Sequence, residues 1–253
     1  MLIYREILEY ARANPLSGER IIHAVSGSKW TVVQSQSGYG LAMTVPSWKN
    51  TRHLKIPLNQ TLGEVSEWIL SWDFAKASLG AASINCILNR ENDIRSRFTN
   101  VSPKGDLLSD LSKKDLLVSV GDFPFLKKLD HQNLIVLEKD PTKGSHPDTA
   151  CEEYLPQADI VIITGATLIN KSLHRILELS SNARAKILIG PSTPAAPYLL
   201  NFKRLTQLGV TVLTKDPQIP ILAGLGASRE LFDPRFSQAL DIFAEQRSFP
   251  VHC

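Results

Sequence analysis

The chain has 253 residues, is 43% hydrophobic and 21% charged, and carries a formal net charge of +3; it can bury a sizeable core, which excludes a disordered, collagen-like or small disulfide-stapled protein. Residues 1–90 hold nine Lys/Arg and six Asp/Glu together with all four tryptophans, Trp30, Trp48, Trp68 and Trp72, so the excess charge belongs to the first third. It forms no Lys/Arg run, and the electroneutral remainder lacks the basic footprint that a phosphate backbone requires, which argues against nucleic acid as a partner.

In chain order, MLIYREILEYARAN interleaves Arg5, Glu6, Glu9 and Arg12 with apolar residues. That breaks a signal-peptide core and predicts an amphipathic helix. Past Pro15 and Gly18, the segments IIHAV (21–25), KWTVVQSQ (29–36) and GLAMTV (40–45) are β-rich and punctuated by Gly27, Gly38 and Gly40, as in a small antiparallel meander. Thr61, with Glu64 three residues on, predicts a capping box that opens a helix running through Trp68. FAKASLGAASINCIL (74–88) has small residues on all sides, so the helix it predicts is buried close to neighbouring backbone.

The polar stretch 91–112, with Asn92, Asn100, Pro103 and Gly105, marks a junction between domains 1–100 and 101–253, both of ordinary domain size. Beyond it, LLVSV (116–120), NLIVL (133–137), DIVIIT (159–164), KILIG (186–190) and VTVL (210–213) alternate with helical or loop stretches. Short β-branched runs separated in this way predict a mostly parallel sheet with crossovers, a Rossmann-like α/β domain. No stretch reaches the roughly 18–20 apolar residues needed to span a bilayer. Cys86, Cys151 and Cys253 are odd in number and far apart, so the expectation is a reducing cytoplasm with no membrane partner.

Ligands of open parallel sheets bind outside the carboxyl ends of the strands. Four loops at such ends are unusual: VGDFPF (120–125), LEKDPTKGSHP (137–147), TGATLIN (164–170) and GPSTPAAP (190–197). The last two combine a helix amino terminus with the hydroxyls of Thr164, Thr167, Ser192 and Thr193, a combination able to hold a carboxylate or phosphate. The same hydroxyls could equally cap their own helices. No GxxxxGK[ST] is present, and GLGASR (224–229) carries Arg229 where a dinucleotide fingerprint has its third glycine. CxxC, HExxH and GxSxG are absent as well. In HPDTACEE (146–153), Asp148, Cys151 and Glu152 fall at i, i+3 and i+4 of a helical pattern, where first-turn acids commonly serve the helix dipole. His174 follows TGATLIN and faces either solvent or the cleft. Cys86 reads as a buried thiol, and the acids beside Cys151 oppose activation.

VGDFPFL, LEKDP, ADIVIITGATLIN and ILIGPSTPAAP, in this order, resemble a family described as "putative heavy-metal chelation". In that family an enolase amino-terminal-like α+β domain precedes a Rossmann-like one. SGYGLAMT (37–44) and SLGAASINCIL (78–88) resemble its first domain, so the likeness covers nearly the whole chain. The resemblance implies a site between the two domains, carried here by Asn85, Gly121, Asp122, Phe123, Pro124, Glu138, Thr164, Gly165, Thr167, Asn170, Gly190, Pro191, Ser192 and Thr193. Ala166 and Cys86 depart from the family's pattern, so neither is given a role.

The reading that follows is an interdomain cleft for a small anionic or metal-complexed molecule. Glu138 and Asp122 are its candidate acid/base or metal-contacting carboxylates, Asn170 fixes their geometry, and the remaining positions bind. Whether the protein is an enzyme stays open, as does any cofactor, a divalent or heavy-metal ion being one candidate. A homodimer would close such a cleft. The alternatives are a non-catalytic metal-sequestering protein, using Glu138, Asp140, Asp148, Cys151 and dispersed histidines, and a nucleotide- or S-adenosylmethionine-using transferase. The excess positive charge of the first domain suits an anion, and the sequence leaves open whether Arg52, Lys55 or Arg90 points inward.

Overall fold

The computed structural model describes residues 2–46, 57–103, 108, 111–141, 144–202 and 205–244. Trp48, Arg52, His53, Lys55, Gly105, His252 and Cys253 lie outside them. The first residues form the expected amphipathic helix α1 (Leu2–Ala13), which buries Ile3, Tyr4, Ile7, Leu8 and Ala11 at helical spacing. The expected meander follows as β1 (His23–Ser26), β2 (Trp30–Gln34) and β3 (Tyr39–Met43), paired antiparallel in that order. The Thr61 box forms in full and opens α2 (Leu62–Ser66).

Helix α3 (Phe74–Leu88) is capped by the Asp73 carboxylate on the N–H groups of Ala75 and Lys76. Thirteen of its 15 residues are buried, because its small side chains let β3 and α2 approach from different sides. Gly40 shows how closely: a Cβ there would stand 2.0 Å from the Ala82 carbonyl oxygen and 2.3 Å from the Cys86 nitrogen.

After α4 (Glu91–Arg97) and β4 (Val101–Pro103) comes the larger sheet. Its further strands are β5 (Leu117–Val120), β6 (Leu134–Glu138), β7 (His146–Pro147), β8 (Ile160–Thr164), β9 (Ala185–Ile189), β10 (Gln207–Leu213) and β11 (Ser237–Phe243). The intervening helices are α5 (Cys151–Tyr154), α6 (Ala166–Ile169), α7 (Leu173–Leu179), α8 (Pro197–Asn201) and α9 (Ile219–Gly224). The strand order is β4-β11-β10-β9-β8-β5-β6-β7, parallel from β10 to β7 and antiparallel at β10–β11 and β11–β4. The architecture is mixed α/β, a small antiparallel sheet beside a mostly parallel eight-stranded one. The two antiparallel strands at one end of the sheet, β11 and the edge strand β4, were not foreseen.

The segment between β10 and β11 returns to the small sheet. Along β2 and β3, Trp30, Val32, Tyr39 and Leu41 pack against Ile219 and Ala223 of α9, whereas Val33 and Ala42 join the core containing α3. This is the period-two alternation of a strand with both faces covered. Trp30 Nε1 donates to the Ser228 carbonyl at 3.3 Å, and Phe232 meets the Trp30 ring edge-on at 5.3 Å. GLGASR therefore ends α9 and runs over the small sheet. It does not lie between a strand and its following helix, which removes the geometry a dinucleotide fingerprint needs.

Candidate functional site

Strands β9, β8, β5 and β6 are consecutive in the sheet, so the four loops chosen from sequence leave four adjacent parallel strands at one edge. They touch in a row. Glu138, ending β6, accepts the N–H of Asp122 at 2.6 Å through Oε1 and that of Lys139 at 3.2 Å through Oε2. Asp122 in turn lies 3.3 Å from Lys127 Nζ. The two expected carboxylate residues are thus neighbours. Gly121 has φ +117°, and a Cβ there would meet the Thr164 side chain at 3.2 Å. Phe123 and Phe125 stack at 5.7 Å, one on each side of exposed Pro124 in sequence.

After β8, Thr164 Oγ1 accepts the Ala166 N–H at 3.3 Å, and the Thr167 hydroxyl donates to the Thr164 carbonyl at 2.7 Å. Both hydroxyls serve local backbone, the ordinary use of threonine at a helix start. Asn170 Oδ1 accepts from the N–H and hydroxyl of Ser172 at 3.0 and 2.7 Å, so its carbonyl organises the entry to α7. Gly165 lies under the next loop, where a Cβ would come within 2.6 Å of Thr193 Oγ1.

The loop after β9 is fastened to the first part of the chain. Gly190 has φ +106°, and its carbonyl accepts the Thr193 N–H at 2.9 Å. Ser192 Oγ accepts the Met43 N–H at 2.8 Å. Asn85 of α3 donates through Nδ2 to the carbonyls of Leu41 at 2.8 Å and Pro191 at 2.9 Å. One helical turn later, Asn89 donates to the Thr193 carbonyl at 2.9 Å and accepts the Ala195 N–H at 2.8 Å. Asn89, the residue that caps the end of α3, was missed, although its i, i+4 spacing from Asn85 in a buried small-residue segment is a legible signal.

Two polar atoms at this seam are buried without a hydrogen-bond partner among the described residues: Asn85 Oδ1 and Thr193 Oγ1. Their residues are 1% and 0% exposed. Such orphans are uncommon in folded proteins and each costs about 1–3 kcal/mol.

The remaining candidates sit elsewhere. His174 pairs with Glu178 at 3.2 Å on the surface of α7. The HPDTACEE segment is not one helix: His146–Pro147 pairs as a strand, Asp148–Ala150 is a 3-10 turn, and α5 starts only at Cys151. Glu152 is held by Arg175 at 2.6 and 2.9 Å. Burial, then the charges of Glu152 and Asp148, push the Cys151 thiol up. Burial pushes the Cys86 thiol up to about 11, so neither cysteine is an activated nucleophile or ready thiolate ligand. Among the described residues no three His, Cys, Asp or Glu side chains come together to hold a metal ion. The donors at the seam are a carboxamide and a hydroxyl, which suit a soft heavy-metal ion poorly. The set Glu138, Asp140, Asp148, Cys151 therefore does not assemble as a chelating site. Arg90 lines an open cleft one strand further along the edge.

These features define an α/β protein whose parallel-sheet edge is locked to a helix of a smaller antiparallel unit. The chain belongs to the DUF364 family, described as "Putative heavy-metal chelation", whose model matches residues 106–240; the DUF4213 model, with the same description, matches residues 8–88. It is 26% identical over 213 residues to an uncharacterized protein of Methanocaldococcus jannaschii, covering 81% of this chain and 77% of that one. A DUF364 protein of Desulfitobacterium hafniense, solved by crystallography and described as of unknown function, is similar over 96% of this chain and 97% of its own, with a TM-score of 0.80 and 29% identity. A DUF364 protein of Pyrococcus horikoshii shares the fold at 20% identity, with a TM-score of 0.78, over 96% of this chain and all of its own. No helix among the described residues is long and apolar enough to cross a membrane.

Proposed function

We propose that the seam between two units, divided near residue 100, binds a small anionic organic molecule or a metal ion already held by one. The observation carrying this reading is the pair of buried atoms with no hydrogen-bond partner among the described residues, Asn85 Oδ1 from the first unit and Thr193 Oγ1 from the second. Both belong to residues that contact or form the loop after β9. A ligand bringing its own donor and acceptor would satisfy them. Gly121 and Gly165 let the neighbouring loops approach closely, and Phe123, Pro124, Thr164, Gly190 and Pro191 belong to the same row of loops. Asp122 and Glu138, whose carboxylate accepts the Asp122 backbone N–H at 2.6 Å, are the acids available for proton transfer or for contact with a complexed metal. Thr167, Asn170 and Ser192 hold the frame through bonds to protein. The family's metal-related description fits a metal arriving in an organic complex better than a bare ion, because the described residues assemble no chelating cluster.

Native mass spectrometry of protein purified without chelators tests this reading. The expected result is a retained organic mass, with metal present only alongside it, that is lost in Asn85→Leu and Thr193→Val while circular dichroism is unchanged. Stoichiometric metal with no organic mass would overturn it in favour of sequestration of a bare ion.

A further inference from the structure

Strand β10 outruns its neighbour. Its pairing with β9 ends at Gly209 opposite Ile189, yet it continues to Leu213. Beside this free end lies a cleft of about 350 Å³, walled by the turn between β2 and β3, the end of α3, the first turn of α4 and residues 212–215. It shares no lining residue with the four loops above. Its volume is at the lower end of the roughly 300–1,000 Å³ typical of small-molecule sites.

The charges around it are unevenly spent. Glu91 accepts from Arg95 Nε at 2.9 Å and from the Gln238 amide. Glu19, behind the wall, accepts from the Ser37 N–H at 3.1 Å and from its hydroxyl. Asp216 accepts the Gln218 N–H at 2.8 Å, and Asp93 lies 3.6 Å from Arg90 Nε. The cations keep their capacity. Arg90 lies 3.6 Å from Asp93 and its charge also acts on Glu19, yet no hydrogen bond engages its guanidinium among the described residues, and exposed Lys215 has no partner among them. Apolar surface comes from Tyr39, Val212 and Leu213. Burial, then Asp216, push the Tyr39 phenol up, so it stays neutral and can donate.

We propose that this cleft is a second binding site, for a small organic carboxylate whose anionic group is held by Arg90 and Lys215 and whose carbon body lies on Leu213 beside the small exposed faces of Tyr39 and Val212. A carboxylate suits it better than a phosphate ester, because the four acids in and behind its walls repel a group carrying two full charges. The site stands independently of the seam reading.

Titration calorimetry on the full chain, with benzoate, succinate and inorganic phosphate as probes, tests it. A carboxylate probe is expected to bind saturably, and about tenfold or more weakly in Arg90→Gln and in Lys215→Gln. Lys215 is exposed, so its substitution reads binding even where Arg90→Gln disturbs folding. No saturable carboxylate binding, affinity indifferent to both substitutions, or tighter binding of phosphate would each overturn the proposal. Loss of seam ligand in Thr193→Val bears only on the other reading.

Discussion

The backbone N–H of Met43 donates to the Ser192 hydroxyl at 2.8 Å across 149 positions of sequence. A serine whose loop invites reading as a ligand site is in fact a rivet between the small sheet and the large one, and it is only 2% exposed. Ser192→Ala leaves that N–H unpaired and is expected to cost about 1–2 kcal/mol. Urea unfolding measures the loss, and an unchanged midpoint would show that the contact adds nothing to stability.

The excursion carrying α9 covers the outer face of the small sheet at very close range. A Cβ on Gly27 would lie 1.9 Å from the Ala223 carbonyl oxygen, which backbone cannot accommodate without moving. Gly27→Ala is expected to lift α9, raise hydrogen exchange across residues 219–224 and destabilise the protein by about 3 kcal/mol or more. Exchange rates like those of the native chain would contradict the packing described.

Lys171 has φ +70°, and its ammonium donates to the carbonyls of Ile69 and Leu168 and lies 4.9 Å from the Tyr4 ring centroid. Burial pulls its pKa down to about 8. Between there and the ordinary lysine value near 10.4, the folded chain has released a proton that the unfolded chain retains, so this group's contribution to stability rises with pH. Burial raises the Tyr4 phenol above its usual range and the Cys86 thiol to about 11; these work in the opposite direction at alkaline pH. The difference in urea midpoint between native protein and Lys171→Met isolates the lysine. It is expected to shift in favour of the native chain from pH 8 to 10, and a pH-independent difference would rule the assignment out.

Where burial and local pairing decide conformation, the structure was legible in the residues. The β-branched runs that became β5, β6, β8 and β9, the Thr61 box and the bounds of α3 all follow from short-range rules. β11 was missed because Ser237, Gln238 and Asp241 interrupt its apolar pattern, and their acceptance inside a sheet depends on neighbours that only the tertiary fold supplies. α9 was missed for a related reason: its apolar face is complementary to the small sheet, nearly two hundred residues earlier in the chain. At the candidate site, sequence could not tell a free hydroxyl from an engaged one. Thr164, Thr167 and Ser192 are engaged with backbone, whereas Thr193 Oγ1 and Asn85 Oδ1 have no hydrogen-bond partner among the described residues. That distinction depends on Ångström-scale contacts between units far apart in sequence.

A high-resolution crystal structure of protein purified without chelators is the most direct test of the seam as a binding site. The account predicts non-protein density of an organic molecule within hydrogen-bonding distance of Asn85 Oδ1 and Thr193 Oγ1. Density explained by ordered water alone, or a direct bond between those two residues, would contradict it.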